Sequence, residues 1–247
     1  VPGAEVAQAR RGRSSLRQEV ADEIKRHMLA HRMRPGDLLP TESELCATLG
    51  ASRSSVREAV KSLAALDIVE VRHGHGTYVG GLGLSALAES VTFRGLLSPD
   101  DDFRAYADLV DVRELFERGN ADGIVAALTP AHLDALDDLV TEMARHPAGG
   151  EGFTAADRAF HTLLVEPLGN DLISQLTQAF WDSYATVGPH LDLVTPGDER
   201  QTLAAHHRAV VDAARSGDAS AFAAAIGAHY APVRGRVAAA RGATGRP

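Results

Sequence analysis

Apolar residues Leu16, Val20, Ile24 and Met28 recur at every fourth position, one stripe of an amphipathic helix. The stripe stops before Arg34-Pro35-Gly36-Asp37, because proline lacks the N–H that a helix needs and glycine readily turns. A second helix is predicted from Thr41, where Thr41-Glu42-Ser43-Glu44 has the form of a capping box. Gly50 stands where that helix would end in the left-handed conformation. A third helix opens at the N-cap Ser52 and carries Val56, Ala59, Val60, Leu63 and Leu66 at helical spacing. Two short helices joined by Gly50, Ala51 and Ser52 make a helix-turn-helix pattern. The pattern then changes: Ile68, Val69, Val71 and Tyr78, Val79 flank His73-Gly74-His75-Gly76, which reads as a β-hairpin.

Gly80-Gly81-Leu82-Gly83 resists regular structure and marks a linker, placed at 81–84. Beyond it only helical patterns remain, at about 84–97, 101–127, 130–145, 153–166, 169–187, 199–216 and 218–240. The breaks fall at Ser98-Pro99, Thr129-Pro130, Pro147 to Gly152, Pro167 to Gly169, Gly188 to Gly197 and Ser216 to Asp218, and the tail Arg241 to Pro247 is expected to fray. The fold class is therefore mainly α: a small helix–hairpin domain over 14–80, then an all-helical bundle of six or seven helices over 85–240.

Composition narrows the class. The 247 residues suit one large domain or two modest ones, and 45% hydrophobic with 23% charged residues is the balance of a soluble globular protein. Cys46 is alone, so an intramolecular disulfide and a cysteine-based zinc site are both excluded, and a reducing compartment is expected. No apolar run nears the ~20 residues that span a bilayer, so no membrane partner is expected. The basic start, Val1 to Ser15, has no apolar stretch behind it and is not read as a signal peptide. A cytoplasmic location is the expectation. The net charge of -8 is uneven: residues 1–80 hold 12 Lys/Arg against 10 Asp/Glu, and the remainder 13 against 23. A mildly basic front is compatible with phosphate contact, and equally with a surface of mixed charge.

In a helix-turn-helix the first residues of the second helix meet base edges in the major groove. Here they are Ser52, Arg53, Ser54, Ser55 and Arg57. Arginine bonds guanine bidentately, small hydroxyls reach phosphates or bases, and the helix start favours phosphate. Thr41 is placed with them as a contact from the preceding helix start. The hairpin tip, with Arg72, His73, Gly74 and His75, is small enough to enter a minor groove.

The stretch Arg34-Pro35-Gly36-Asp37-Leu38-Leu39-Pro40-Thr41-Glu42-Ser43-Glu44-Leu45, followed by Leu49-Gly50-Ala51-Ser52-Arg53-Ser54-Ser55-Val56-Arg57-Glu58-Ala59, resembles the winged helix of GntR-family bacterial transcription regulators. The segment from Ile68 to Val79 is similar to that family's wing. The resemblance implies a winged helix-turn-helix in which Arg53 and Arg57 read bases and phosphates, Ser54 and Ser55 contact backbone or bases, and His73 with Gly74 forms the wing tip. Ser43 departs from the pattern, since many relatives carry arginine there.

In the second region, Asp157 and His161 lie four residues apart on a predicted helix, and His207 and His229 lie on two later ones. One carboxylate and three imidazoles suit zinc, nickel, manganese or iron, although an i,i+4 Asp–His pair is also a common surface feature. His206 rivals His207, and neighbours on a helix point about 100° apart, so only one is expected to face inward. Asp157 to His161, His207 to Val210 and His229-Tyr230 resemble the metal-binding pattern of the FCD domain of the FadR subfamily, and Val112 to Glu117 is similar to its arginine-bearing helix. That resemblance implies a metal, zinc foremost, held by Asp157, His161, His207 and His229. It also implies a small carboxylate effector held by the metal and by Arg113, with Asn170 as a lesser partner. A salt bridge from Arg113 to Glu117 is the alternative role for that arginine.

The expected function is a dimeric regulator on a pseudo-palindromic double-stranded operator, answering to a small organic acid. A metal-stabilised DNA-binding protein without an effector is one alternative. A metalloenzyme is another, but Asp157 is taken up as a ligand and no separate nucleophile or acid/base pair stands out.

Overall fold

The first apolar stripe forms helix α1 (residues 17–30), which buries Val20, Ala21, Ile24 and Met28. The computed structural model describes residues 17–97, 104–147, 150–187 and 199–244. Leu16, the predicted breaks at Ser98-Pro99 and Gly188 to Gly197, the start of the 101–127 helix and the last residues of the tail lie outside them. The chain divides into two compact units, Val1–Ala86 and Leu87–Pro247.

In the first unit the expected capping box forms. Glu44 N–H donates to the Thr41 hydroxyl and Thr41 N–H donates to Glu44 Oε2, starting α2 (Glu42–Leu49). Gly50 ends it at φ 61°, a left-handed conformation that glycine enters without strain. Ser52 then caps α3 (Arg53–Ala64) by accepting from Ser55 N–H. Val56, Ala59, Val60 and Leu63 of α3 pack with Ile24 of α1, Leu45 of α2 and Leu39. Burying one such side chain contributes about 1.5–3 kcal/mol.

Strands β1 (Val69–Arg72) and β2 (Gly76–Val79) pair antiparallel, with Val69 opposite Val79 and Arg72 opposite Gly76. Leu39 N–H donates to Thr77 O and Val79 N–H to Asp37 O, so the segment before α2 lines the hairpin's other edge. Only the base of the hairpin, Val69 and Val79, is in the core, and the tip stands in solvent. At the exit, a Cβ on Gly80 would fall 2.2 Å from the Asp67 carbonyl oxygen, so the chain can pass there only as glycine.

The second unit is helical throughout its described residues: α4 (Ser85–Leu97, whose first turn belongs to the first unit), α5 (Arg104–Gly119), α6 (Ala121–Ala127), α7 (Pro130–Arg145) and α8 (Glu151–Val165). A 3-10 turn (Glu166–Leu168), α9 (Asp171–Val187), α10 (Glu199–Ser216) and α11 (Ala219–Thr244) complete it. The single helix expected over 101–127 is two, broken at Asn120 (φ -103°, ψ 13°). There the Asn120 side-chain amide donates to Phe116 O, and α6 restarts to bury Ala121 and Ile124. The helix expected to end at 240 runs to Thr244. Phe160, Leu164, Val210, Phe222 and Ile226 centre the core. Arg215 and Arg208 of α10 bind Asp137 of α7, fastening the outer surface. No helix among the described residues is long and apolar enough to cross a membrane.

Candidate nucleic-acid interface and metal centre

Arg53 is the first residue of α3, exposed, with Ser54 beside it and Ser55 half-buried behind. The Ser52 hydroxyl stands 2.9 Å from those of both Ser54 and Ser55, a hydroxyl cluster at a helix start that has no acidic residue in its first turn. Backbone N–H groups and the helix dipole make this end attractive to phosphate. Arg57, one turn on, is exposed but engaged: its Nε donates to Glu42 Oε2 at 2.8 Å. Sequence reasoning missed that pairing, which links the two helices of the motif. Thr41 is exposed and its hydroxyl belongs to the capping box. His73 and Gly74 occupy the exposed turn of the hairpin. Behind them the Arg72 guanidinium lies 4.2 Å over the Tyr78 ring and binds Glu70, so the wing's arginine is held along the strands rather than at the tip.

In the second unit, α8, α10 and α11 bring His161, His207 and His229 together, one potential ligand atom of each lying within 4.8 Å of the others. Asp157 Oδ1 is 2.9 Å from His207 Nε2 and 3.2 Å from His161 Nε2. His161 and His207 are each 1% exposed, while Asp157 and His229 are partly exposed. His207 rather than His206 faces the cluster. Phe160 packs edge-on against both His161 and His207, which walls the group with apolar surface.

The members of this cluster are shifted in opposite directions. Burial works to raise the Asp157 pKa, but the adjacent His161 and His207 imidazoles outweigh it and hold the carboxyl well below its ordinary range. Desolvation, aided by His207 and His161, pushes His229 well below the usual imidazole value and keeps it neutral, the form that binds metals. Desolvation opposes charge on His161, yet the Glu117 carboxylate leads the interactions that shift that imidazole upward. His161 Nε2 and His229 Nδ1 are buried without a hydrogen-bond partner.

Arg113 of α5 is 4% exposed, with its guanidinium 4.1 Å over Trp181, 4.7 Å over Tyr184 and 5.5 Å over Tyr230. Its Nε and Nη2, the two donors of one guanidinium edge, have no hydrogen-bond partner. The alternative salt bridge to Glu117 does not form: Glu117 Oε1 instead accepts from His161 Nδ1 at 2.6 Å and from the Tyr230 hydroxyl at 3.0 Å. Asn170 is exposed, and its Oδ1 accepts from Leu172 and Ile173 N–H, capping α9. Sequence names Glu117 only as a salt-bridge partner for Arg113; its contact with His161 and the aromatic walls are not read there. The Arg–x–x–x–Glu spacing on one helix face was the signal available for the carboxylate.

Residues 16–79 match the gntR family of bacterial regulatory proteins, and residues 108–232 match the FCD domain. The chain is similar to NedR of Micromonospora viridifaciens, 48% identical over 107 residues that span 43% of this chain and 76% of that protein. It is similar to the galactonate operon transcriptional repressor of Escherichia coli, 28% identical over 187 residues, 76% of this chain and 81% of that one. A solved structure of Streptococcus agalactiae GntR superposes with a TM-score of 0.65 at 29% identity, covering 88% of this chain and 98% of the other.

Proposed function

The chain belongs to the GntR family of bacterial regulatory proteins, with an FCD domain behind its helix-turn-helix, and from that premise we propose that a small carboxylate effector controls its grip on DNA from a metal-bearing pocket. It is a DNA-binding transcription regulator; its relatives and fold are those of regulators, not enzymes. The finer reading is a homodimer on a pseudo-palindromic operator, contacting it through Ser52, Arg53, Ser54, Ser55 and Arg57, with Thr41 and the His73-Gly74 tip alongside.

A divalent ion fits the second unit. Two buried imidazole nitrogens lack partners, the third imidazole and a carboxylate converge on them, and the donors are of the kind that bind zinc, nickel, manganese or iron. Asp157, His161, His207 and His229 would hold it. When bound, it supplies a Lewis-acidic seat for a carboxylate oxygen. Arg113 supplies the second seat. Its unpaired edge is the observation that carries the effector reading, because two buried donors without acceptors are costly unless a carboxylate takes both. A purely structural metal would leave that edge unexplained. The similarity to a repressor named for the galactonate operon supports a carboxylic acid as effector class.

The test is zinc binding by titration, combined with operator binding in the presence of a panel of small carboxylates. His161→Ala with His229→Ala is expected to lose zinc and effector response yet still bind operator. Arg113→Met is expected to keep zinc and lose the response. Zinc affinity unchanged by the histidine changes would sink the metal half, and an unaltered acid response in Arg113→Met would sink the effector half.

A further inference from the structure

We propose that Glu117 is the positioning residue of this centre, fixing His161 so that its Nε2 lone pair faces the ion, and joining that ligand through Tyr230 to the Arg113 cradle. The inference rests on the metal reading above.

His161 and Glu117 come from different helices, 44 residues apart, and Glu117 is 2% exposed. A carboxylate only accepts, so the 2.6 Å contact requires the hydrogen on His161 Nδ1; in the neutral, metal-binding form of the ring the lone pair is then on Nε2, the atom beside Asp157. Carboxylate partners behind metal-binding histidines set tautomer and ring orientation and raise ligand basicity.

The three imidazoles differ in this respect. His207 Nδ1 faces a neutral acceptor, Leu203 O, and His229 Nδ1 has no partner. Among the described residues His161 is the one member backed by an anion through its Nδ1. Charge points the same way. With Asp157 as the sole anionic ligand, a divalent ion would leave net positive charge in an apolar setting, and a second buried carboxylate one imidazole away offsets it. The same oxygen also accepts from Tyr230, whose ring stands beside the Arg113 guanidinium. One side chain thus touches a metal ligand and a wall of the effector cradle.

Glu117→Gln keeps an acceptor and removes the charge, and Glu117→Leu removes both. Two readouts are taken on the full chain: the His161 tautomer by nitrogen-15 NMR without metal, and zinc affinity by competition with a chromophoric chelator. Wild type should hold the Nδ1–H tautomer. Glu117→Gln should keep it while zinc affinity falls about tenfold, and Glu117→Leu should lose the bias with a fall of about a hundredfold. Were Glu117→Leu not to fold, the wild-type and Glu117→Gln measurements decide alone. An Nε2–H tautomer in wild type, or Glu117→Gln within twofold of wild type, overturns the inference while leaving zinc binding standing. Wild type that binds no zinc overturns the metal reading and this inference together.

Discussion

Arg53 and Arg57 show how two arginines of one helix can differ in availability. Arg57 is paired with Glu42 across the motif, whereas Arg53 stands at the helix start with its side chain in solvent. Neither supports the core, so Arg53→Ala should leave the unfolding temperature unchanged. It should weaken specific operator binding about ten- to hundredfold, from the ~1–3 kcal/mol of a bidentate base contact, while nonspecific DNA binding falls far less. Footprinting of the variant at wild-type concentrations would refute the assignment. Core residues answer to a different rule: Phe160, fully buried between His161 and His207, should cost about 3–5 kcal/mol on change to alanine, read by denaturant unfolding. Legibility divides along the same line. The four proposed ligands are named by the resemblance to the FCD domain, with the i,i+4 spacing of Asp157 and His161 as the local signal. The pairing of Glu117 is not legible, because its partners His161 and Tyr230 are 44 and 113 residues away and only folding brings them together.

Helix ends were legible because caps are local chemistry. Thr41 with Glu44, Ser52, and Thr129 ahead of Pro130 each bond within three residues of themselves, and each starts a helix where the side chains predict it. The break at Asn120 was not, because no proline stands there and the apolar spacing continues through it; the Asn120 amide folds back onto Phe116 O, and α6 resumes with Ala121 and Ile124 buried. Thr41 reads from sequence as a DNA contact and stands in the structure as a cap, and one pair of variants separates these roles. Thr41→Ala should lower stability by about 1 kcal/mol, seen as a lower melting temperature. Thr41→Asp keeps a capping acceptor but loses the hydroxyl's donation to Glu44 and sets two carboxylates together, so it should also melt lower, while its negative charge weakens operator binding if this position meets phosphate. An operator affinity unmoved by aspartate would confine Thr41 to capping. The Glu44 carboxylate is held below its usual range by the Thr41 N–H and hydroxyl. Its contribution is therefore full above the ordinary carboxylate range and fades as pH falls through the lowered one.

At the scale of the whole molecule, the proposed effector control has to run along the chain, and within the first unit the end of α3 is fastened to the start of α4. Asp67, just past α3, is left-handed at φ 55°, an uncommon setting for a side chain with a Cβ. Its carbonyl accepts from Leu82 N–H, and its carboxylate accepts from both the N–H and the hydroxyl of Ser85, the first residue of α4. Further along α4, Ala88 and Thr92 bond the buried Ser183 of α9, the helix that also carries Trp181 and Tyr184 over Arg113. An effector changes operator affinity only by favouring one arrangement of such elements over another. Asp67→Asn and Asp67→Gly both remove the carboxylate, but only glycine relieves the backbone. If the clasp transmits the signal, both variants should keep zinc and operator affinity within about twofold of wild type while the effector-induced change in operator affinity shrinks. A full effector response in Asp67→Gly would mean that the carboxylate is dispensable and that coupling runs through packing elsewhere along α4.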